Sequence, residues 1–542
     1  MTLTTDRAGT AGRTPTGKDV TEALTKLRGV LGDEHVLTDE RDRAWFAADF
    51  TDAQVPTPVA VACPASTAEV VEVVRIANAC GLAVVARGGG MSYTLAHTPS
   101  RAETVVVDTR RMNRIVEINA DDRYVTVEVG VTWAQLMEAL EGTGTALVFG
   151  GTLSGLHATV GGTLSQNSVG VGRGFVSERL LALEVVLGDG RVLRTGSSAA
   201  AGTSPFTRNF GPDLGGLFVS DSGAFGVKTQ ATLLLDPAPR GSAFGCFAFD
   251  DGRAMARAQV EMCRTVSIAD CIGADSFMNT VMAEMPPPPR EEMRKLTKRA
   301  LAATDSKPRM LRQLLRAARP GGMKFLAKVP WSLNVVCDAS DQAAADRNLA
   351  KVRRIARRHG GRSLSPAMAI GMRYATFQPI HPLMVGKQGE AGFPSNAIVP
   401  LSKAEAAIDV LDRFETEHAD VMGEHGISLV RNYFIGGHGF GIEPILFWPD
   451  RLSEYRASWA SDEQRAEFKD APANDAGRAA VLDLRAQMIA KFRELGAVHI
   501  QIGKVYPYKD ALAGTVTWEI IEGLKDVLDP ARLVNPGVLG LD

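Results

Sequence analysis

Residues 84–94, VVARGGGMSYT, follow an apolar run and set three consecutive glycines between an arginine and a Ser-Tyr pair. Glycine reaches backbone conformations closed to other residues and lets the chain come close to a ligand. Successive N–H groups in such a loop form an anion-binding nest. A strand that feeds this loop therefore reads as a phosphate cradle, and as a plain glycine turn where nothing around it supports a ligand. The flanking segments decide between the two.

Upstream, TPVAVAC (57–63) is a short β-like run ending at Pro64. STAEVVEVVRIANACG then opens on a Ser/Thr cap with a nearby Glu, repeats apolar residues at helical spacing and closes on Gly81, a helix with start and stop signals. LAVVA (82–86) delivers the glycine loop and TVVVD (104–108) follows it, so 57–108 reads as a small β-α-β-loop-β unit. Beyond residue 115, IVEINADDRYVTVEVGVTW reads as two strands around an Asp-Asp turn, and TWAQLMEALEGTG as a capped helix. Residues 151–175 are rich in Gly, Ser and Thr, the composition of a flexible linker. They lead at once into LLALEVVLGDGRVLRTG, whose Asp189-Gly190 is a hairpin signal. An ordered loop that admits a close ligand suits that strand-rich setting better. A third such loop lies in LFVSDSGAFGVKTQATLLL (217–235). Three strand-bounded loops in one domain suggest a single extended, phosphate-bearing ligand.

The chain has 542 residues, 45% of them hydrophobic and 23% charged, which indicates a soluble globular protein of more than one domain. A net charge of −2 gives no sign of a nucleic-acid partner. The six cysteines form no CxxC, which fits reduced thiols in the cytoplasm better than disulfides or zinc. The first twenty residues are polar and lack the apolar core of a signal peptide, so a disordered tail is expected there. No apolar run is long enough to span a bilayer.

VVARGGGMSY, ATVGGTLSQNSVG, LEVVLGDGRVLRTG, DLGGLFVSDSGAFGVKTQATLLLDP and LDPARLVNPGV occur in that order. Together they resemble the vanillyl-alcohol oxidase / p-cresol methylhydroxylase (PCMH-type) flavoprotein superfamily, with its D-lactate dehydrogenase-like and alkyl-glycerone-phosphate synthase-like branches. The resemblance is strongest over 57–237 and at the C-terminus. It implies an α+β fold: a two-subdomain FAD-binding domain over 21–238, a cap of antiparallel sheet and helices over 239–500, and a C-terminal segment, 501–542, returning to the flavin. It implies that Arg87, Gly88, Gly89, Gly90, Met91, Ser92 and Tyr93 hold the pyrophosphate. Thr159, Gly161, Gly162, Gln166, Asn167 and Gly170 would run along the cofactor; Ser222, Gly223, Gly226 and Val227 would hold its ends, with Asn535 joining from the tail. The implied reaction is oxidation of an alcohol or hydroxy acid by hydride transfer to flavin N5, with oxygen or another acceptor taking the electrons. Oxidation of a para-substituted phenol and redox-neutral flavin chemistry are the alternatives.

Two departures matter. Many relatives carry a flavin-bonding histidine after the glycines; here Met91 stands there, a thioether that cannot form that bond, so the FAD is expected to be non-covalent. The acidic residue of the phenol-oxidising branch maps to Gln166, which cannot act as a base.

The cap and tail supply the candidate chemistry. In RNYFIGGHGFGIEPILFWPD (431–450), His438 and Glu443 lie between glycines. His438 reads as a base or orienter of a substrate hydroxyl, as a hydrogen-bonded core histidine, or as a metal ligand. The tail adds one histidine, His499, and no metal is expected. Tyr506, Tyr508 and Lys509 resemble the tyrosine–arginine pair that binds phenolate in the phenol-oxidising branch, although lysine lacks the guanidinium fork; packed surface tyrosines are the plain alternative. Arg373 suits a carboxylate or the surface, and His381 beside it is equally ambiguous. Finally, MPPPP (285–289) precedes a stretch crowded with Lys and Arg, 290–328. It reads as a solvated insertion spanning 285–330, a lid, or an amphipathic element touching an anionic membrane. A homodimer is the default assembly.

Overall fold

The computed structural model describes residues 15–170, 174–284, 290–304, 306–317, 323–377, 384–386 and 388–542. His381 lies outside them. The first helix, Gly17–Leu31, begins inside the stretch expected as a tail, because Thr16 and Asp19 form a reciprocal capping box.

The N-terminal subdomain is a four-stranded sheet in the order Val36–Leu37, Ala60–Ala62, Thr104–Asp108, Ala83–Arg87, with the last three parallel. Parallel neighbours need a crossover, and the helix Thr67–Ala79, capped by Ser66, provides it. Its Val70, Val73, Val74 and Ala77 bury against Val84, Val105 and Val107. The tail completes this sheet: the Val84 N–H donates to Leu533 O and the Asn535 N–H to Val84 O, both at 2.8 Å.

The second subdomain is an antiparallel sheet in the order Ile115–Asn119, Tyr124–Glu128, Val227–Leu234, Leu180–Val186, Val192–Arg194. Its hairpin turns at Gly190 with φ +81°, a conformation that favours glycine. Within the described part of the Gly/Ser/Thr-rich stretch a short helix forms, Val160–Gln166, capped by Thr159, so that part is no flexible linker.

The cap is an antiparallel sheet in the order Arg362–Ser363, Gly241–Phe249, Trp331–Ala339, Asp270–Asp275, Ser428–Gly436, Gly439–Trp448, Ala391–Pro394. One face buries helices Gly252–Thr265, Gln342–Arg358, Ala404–Glu417 and Asp475–Glu494. The other face carries Phe244 and Val336, which pack against Leu296, Ala300, Met310 and Leu314 of helices Arg290–Ala302 and Lys307–Ala317. The described helices of the basic segment therefore pack on the cap sheet as a roof and are not a solvated insertion, whereas 285–289 and 318–322 lie outside the described residues. Leu296, Met310 and Leu314 lie on helical faces that find apolar sheet to cover, while Leu311 and Leu315 are exposed. A buried ion pair between Asp52 and Arg456 fastens the N-terminal region to the cap.

Candidate active site

A single cavity of about 860 Å³ runs from the glycine loop, past the short helix at 160–166, to the cap sheet. Its lower end is a cradle of backbone. A Cβ at Gly88 would overlap the Thr159 hydroxyl, one at Gly89 would overlap the His157 carbonyl, and one at Gly161 would lie 2.6 Å from Val129 Cβ. No other residue fits at Gly89 without displacing backbone, or at Gly88 and Gly161 without displacing Thr159 or Val129. Gly90, at φ +74°, turns the loop. Its carbonyl accepts a 2.5 Å hydrogen bond from the Tyr455 hydroxyl, which itself accepts one from Arg87 at 3.0 Å.

Arg87 is an anchor and not a free cation. Its guanidinium donates to the carbonyls of Phe46 and Ala48, both at 2.9 Å, and stacks over Trp45, Phe46 and Tyr455. The cradle's anion affinity must come from loop N–H groups. Gly162, Gly170, Ser222, Gly223, Gly226, Met91, Ser92 and Gln166 also line the cavity. The buried Gln166 Oε1 has no partner in the chain, which leaves an acceptor for a ligand donor. An extended, phosphate-bearing cofactor such as FAD fits this arrangement.

Three residues expected at the cofactor do not line the cavity. Val227 points into the core of the N-terminal subdomain. Asn167 caps its helix in a left-handed conformation. Asn535 spends its amide on the carbonyls of Ala96 and Ser222 and accepts from Lys504, so it ties the tail to two loops.

The upper end is chemically different. Strands alternate their side chains between faces, and Asn432 and Glu443 are direct cross-strand partners, both on the cavity side. Burial pushes the Glu443 carboxyl up to about 7, partly offset by a hydrogen bond donated from the Tyr93 hydroxyl. Gln501 also hydrogen-bonds Tyr93. Behind Tyr93 stands Tyr506, whose hydroxyl accepts from the Asn396 N–H at 2.7 Å and whose ring stacks on His499 at 4.2 Å. Burial lowers the basicity of the His499 imidazole. The guanidinium of Arg485 lies over Phe393 and Tyr506, with Nε and Nη2 buried and unpartnered.

Of the candidate catalytic residues, the structure brings Glu443 and Tyr506 together with Tyr93. The others lie elsewhere. His438 is exposed in the two-residue turn between the strands that carry Asn432 and Glu443. Lys509 is exposed over the Trp518 ring, and Tyr508 packs on the same tryptophan. Arg373 pairs with Asp338 at 2.9 Å and does not reach the cavity.

Sequence reasoning missed Asn432, Arg485, Gln501 and Tyr455. Arg485 had a signal. It occupies the apolar stripe of Val481, Leu484, Met488 and Phe492, where a charge needs a special reason. Asn432 could have been found by pairing the two strands around Gly437-His438.

Comparison with known proteins agrees with this picture. Residues 58–196 match the model of an FAD binding domain. The chain is 36% identical over 239 residues to 1'-carboxy-chondrochloren decarboxylase of Chondromyces crocatus, covering 43% of each chain. It is 30% identical over 226 residues to glycolate oxidase subunit GlcD of Bacillus subtilis (strain 168), covering 41% of this chain and 46% of that one. The chain thus matches less than half the length of each of these relatives. Its fold superimposes on 4-ethylphenol oxidase from Gulosibacter chungangensis in complex with isoeugenol with a TM-score of 0.75 at 20% identity, covering 98% of this chain and 99% of that one. The class is that of flavoproteins with an FAD binding domain beneath a cap. Within that class, residues 58–196 match the FAD binding domain, and the chain shares its fold with 4-ethylphenol oxidase and p-cresol methylhydroxylase.

Proposed function

We propose that this protein is an FAD-dependent oxidoreductase that oxidises the CH–OH group of an alcohol or hydroxy acid, with Glu443 as the base. Bound FAD supplies the two-electron acceptor. The observation that carries the reading is the Glu443 carboxyl, held inside the cavity and pushed up to about 7 by burial. A base works best when its pKa lies near the operating pH. Asn432, its cross-strand neighbour, orients the substrate hydroxyl toward it, and the Tyr93 hydroxyl stabilises the ionised carboxylate. The naming of one relative as a glycolate oxidase subunit supports a hydroxy acid. The test is anaerobic addition of a panel of alcohols and hydroxy acids. Bleaching of the flavin is expected with wild type and not with Glu443→Gln; a fully active Glu443→Gln protein would refute the assignment of the base.

A second reading, oxidation of a para-substituted phenol, is favoured by the grouping of Tyr93, Tyr506 and Arg485, since phenolic O–H groups and a cation can stabilise a phenolate. Bleaching by phenols alone, lost in Tyr506→Phe, would select it. The FAD is held non-covalently, because Met91 follows the glycines; yellow colour retained in an acid precipitate would contradict this. Peripheral contact with an anionic membrane through 290–328 rests on the exposed Leu311 and Leu315 beside basic residues. Co-sedimentation with anionic liposomes checks it.

A further inference from the structure

Beyond the Glu443 end, the cavity continues into the cap and changes character. Its floor is the sheet face opposite the large helices, where alternation brings up Ile272 and Ala274 on one strand, Phe434 on the next and Ile445 on a third. Its roof is helical. Met368, Gly371, Met372 and Ala375 follow one another at helical spacing along Ala367–Tyr374 and its C-terminal cap, and all four line the cavity. Met278 and Met282, one turn apart on Ser276–Glu284, and Met293 and Leu296 on Arg290–Ala302 close the sides. Asn432 and Glu443 stand where this extension begins, Asn334 is the cross-strand partner of Ile272 in its floor, and the exposed Lys324 also lines it.

We infer that this methionine-lined extension is the binding site for an elongated apolar chain on the substrate, whose oxidisable head lies at Glu443. The inference rests on the oxidoreductase reading for the head and on the lining for the tail. An empty apolar volume destabilises a protein in proportion to its size, so a lining of this extent is best explained by a ligand that fills it. Methionine suits the purpose: unbranched and polarisable, it moulds to an irregular hydrocarbon. Met368 to Ala375 alone span about 10 Å at the helical rise. A small hydroxy acid would leave this wall uncovered. The polarity gradient orients the ligand, with its hydroxyl toward Asn432 and its chain running under the basic roof.

The test uses the full-length, FAD-loaded protein and the unbranched primary alcohols butanol, hexanol, octanol and decanol, with dissociation constants from calorimetry. Full burial of a methylene tightens binding about fourfold, so affinity should climb steadily through the series. Gly371 allows a clean block, because a Cβ there meets nothing within 4 Å. Gly371→Phe should bind butanol as wild type does and lose the further gain for octanol and decanol. Met368→Trp is a second plug should the first not fold. Affinity independent of chain length, or an unchanged slope in the plugged variant that folds, would overturn the inference. Anaerobic flavin bleaching by the same alcohols is read separately. A flat series with bleaching retained sinks the tail site alone; a steep series without bleaching supports the tail site and refutes the oxidoreductase reading for these alcohols.

Discussion

The two ends of the cavity are specified in opposite ways. The cofactor end is built from backbone: glycines that leave no room for a Cβ, a short helix capped by Thr159, and anchors such as Arg87 and Tyr455 that spend their polar groups on the chain. The cap end is built from side chains projecting from regular strands and helices, with one acidic group and a few neutral polar ones beside an apolar wall. The first arrangement holds one ligand shape and cannot vary without losing it. The second is a set of replaceable side chains on a fixed sheet, so substrate preference can change while the cradle stays the same.

Substitutions at the two ends should therefore separate reactivity from cofactor retention. Glu443→Gln has the largest effect: flavin reduction should slow by about 10²–10⁴-fold, the range for loss of a positioned base, with FAD content unchanged. Stability should move the other way. The buried carboxyl titrates near 7, well above its ordinary value of 4.5. Between those values the folded state holds more protons than the unfolded one, so wild type loses stability as pH rises through that window. Thermal melting should show Glu443→Gln gaining over wild type above about pH 7 and gaining little near pH 4. A variant that loses FAD together with activity would break the contrast between the ends. Gly89→Ala is the converse. Its methyl group must displace the His157 carbonyl, and overpacking of about 1–3 kcal/mol should weaken FAD retention roughly ten- to hundredfold, read as the ratio of flavin to protein absorbance. Flavin that does bind should be reduced at close to the normal rate.

The same difference explains what the sequence made legible. The cradle is encoded locally. GGG, the Thr-capped TVGG and SDSGAFG each announce a loop because glycine has few other reasons to cluster there, and the structure places nearly all of them on the cavity. Active-site geometry in the cap depends on strand register and helix docking across long stretches of chain. His438 and Glu443 are five residues apart, yet one is in an exposed turn and the other is inside; only the hairpin register distinguishes them. Tyr506 and Lys509 separate because a short helix, Tyr508–Leu512, turns the chain outward between them. Arg485 supplies the cation that the tail motif seemed to promise through Lys509, from a helix far off in sequence. The basic stretch misled for a related reason: its charges were legible, but the apolar sheet that its other face covers was not.

Tyr93 lies where the two ends meet, on the glycine loop but bonded to Glu443. Tyr93→Phe keeps the packing and removes one hydrogen bond to a carboxylate, about 1.4 kcal/mol or one unit in the titration of the base. The pH midpoint for flavin reduction should rise by about that amount, because the lost bond favoured the ionised form. Near pH 7 the rate should fall by up to about tenfold, with recovery at higher pH. A uniform loss across all pH values would instead make Tyr93 a substrate contact.

The smallest effects are expected outside the cavity. His438→Ala removes an exposed side chain from a turn, and flavin reduction should stay within about twofold of wild type, as for surface changes generally. Lys509→Ala is more informative, because the residue does have a local task. Its ammonium lies 5.6 Å from the centre of the Trp518 ring, a contact contributing about 0.5–1 kcal/mol at an exposed site. Melting temperature should therefore drop slightly while the rate and its pH profile do not move. If Lys509→Ala instead slowed reduction of a phenolic substrate more than Tyr506→Phe does, the phenolate site would have to include the tail lysine and extend beyond the cavity.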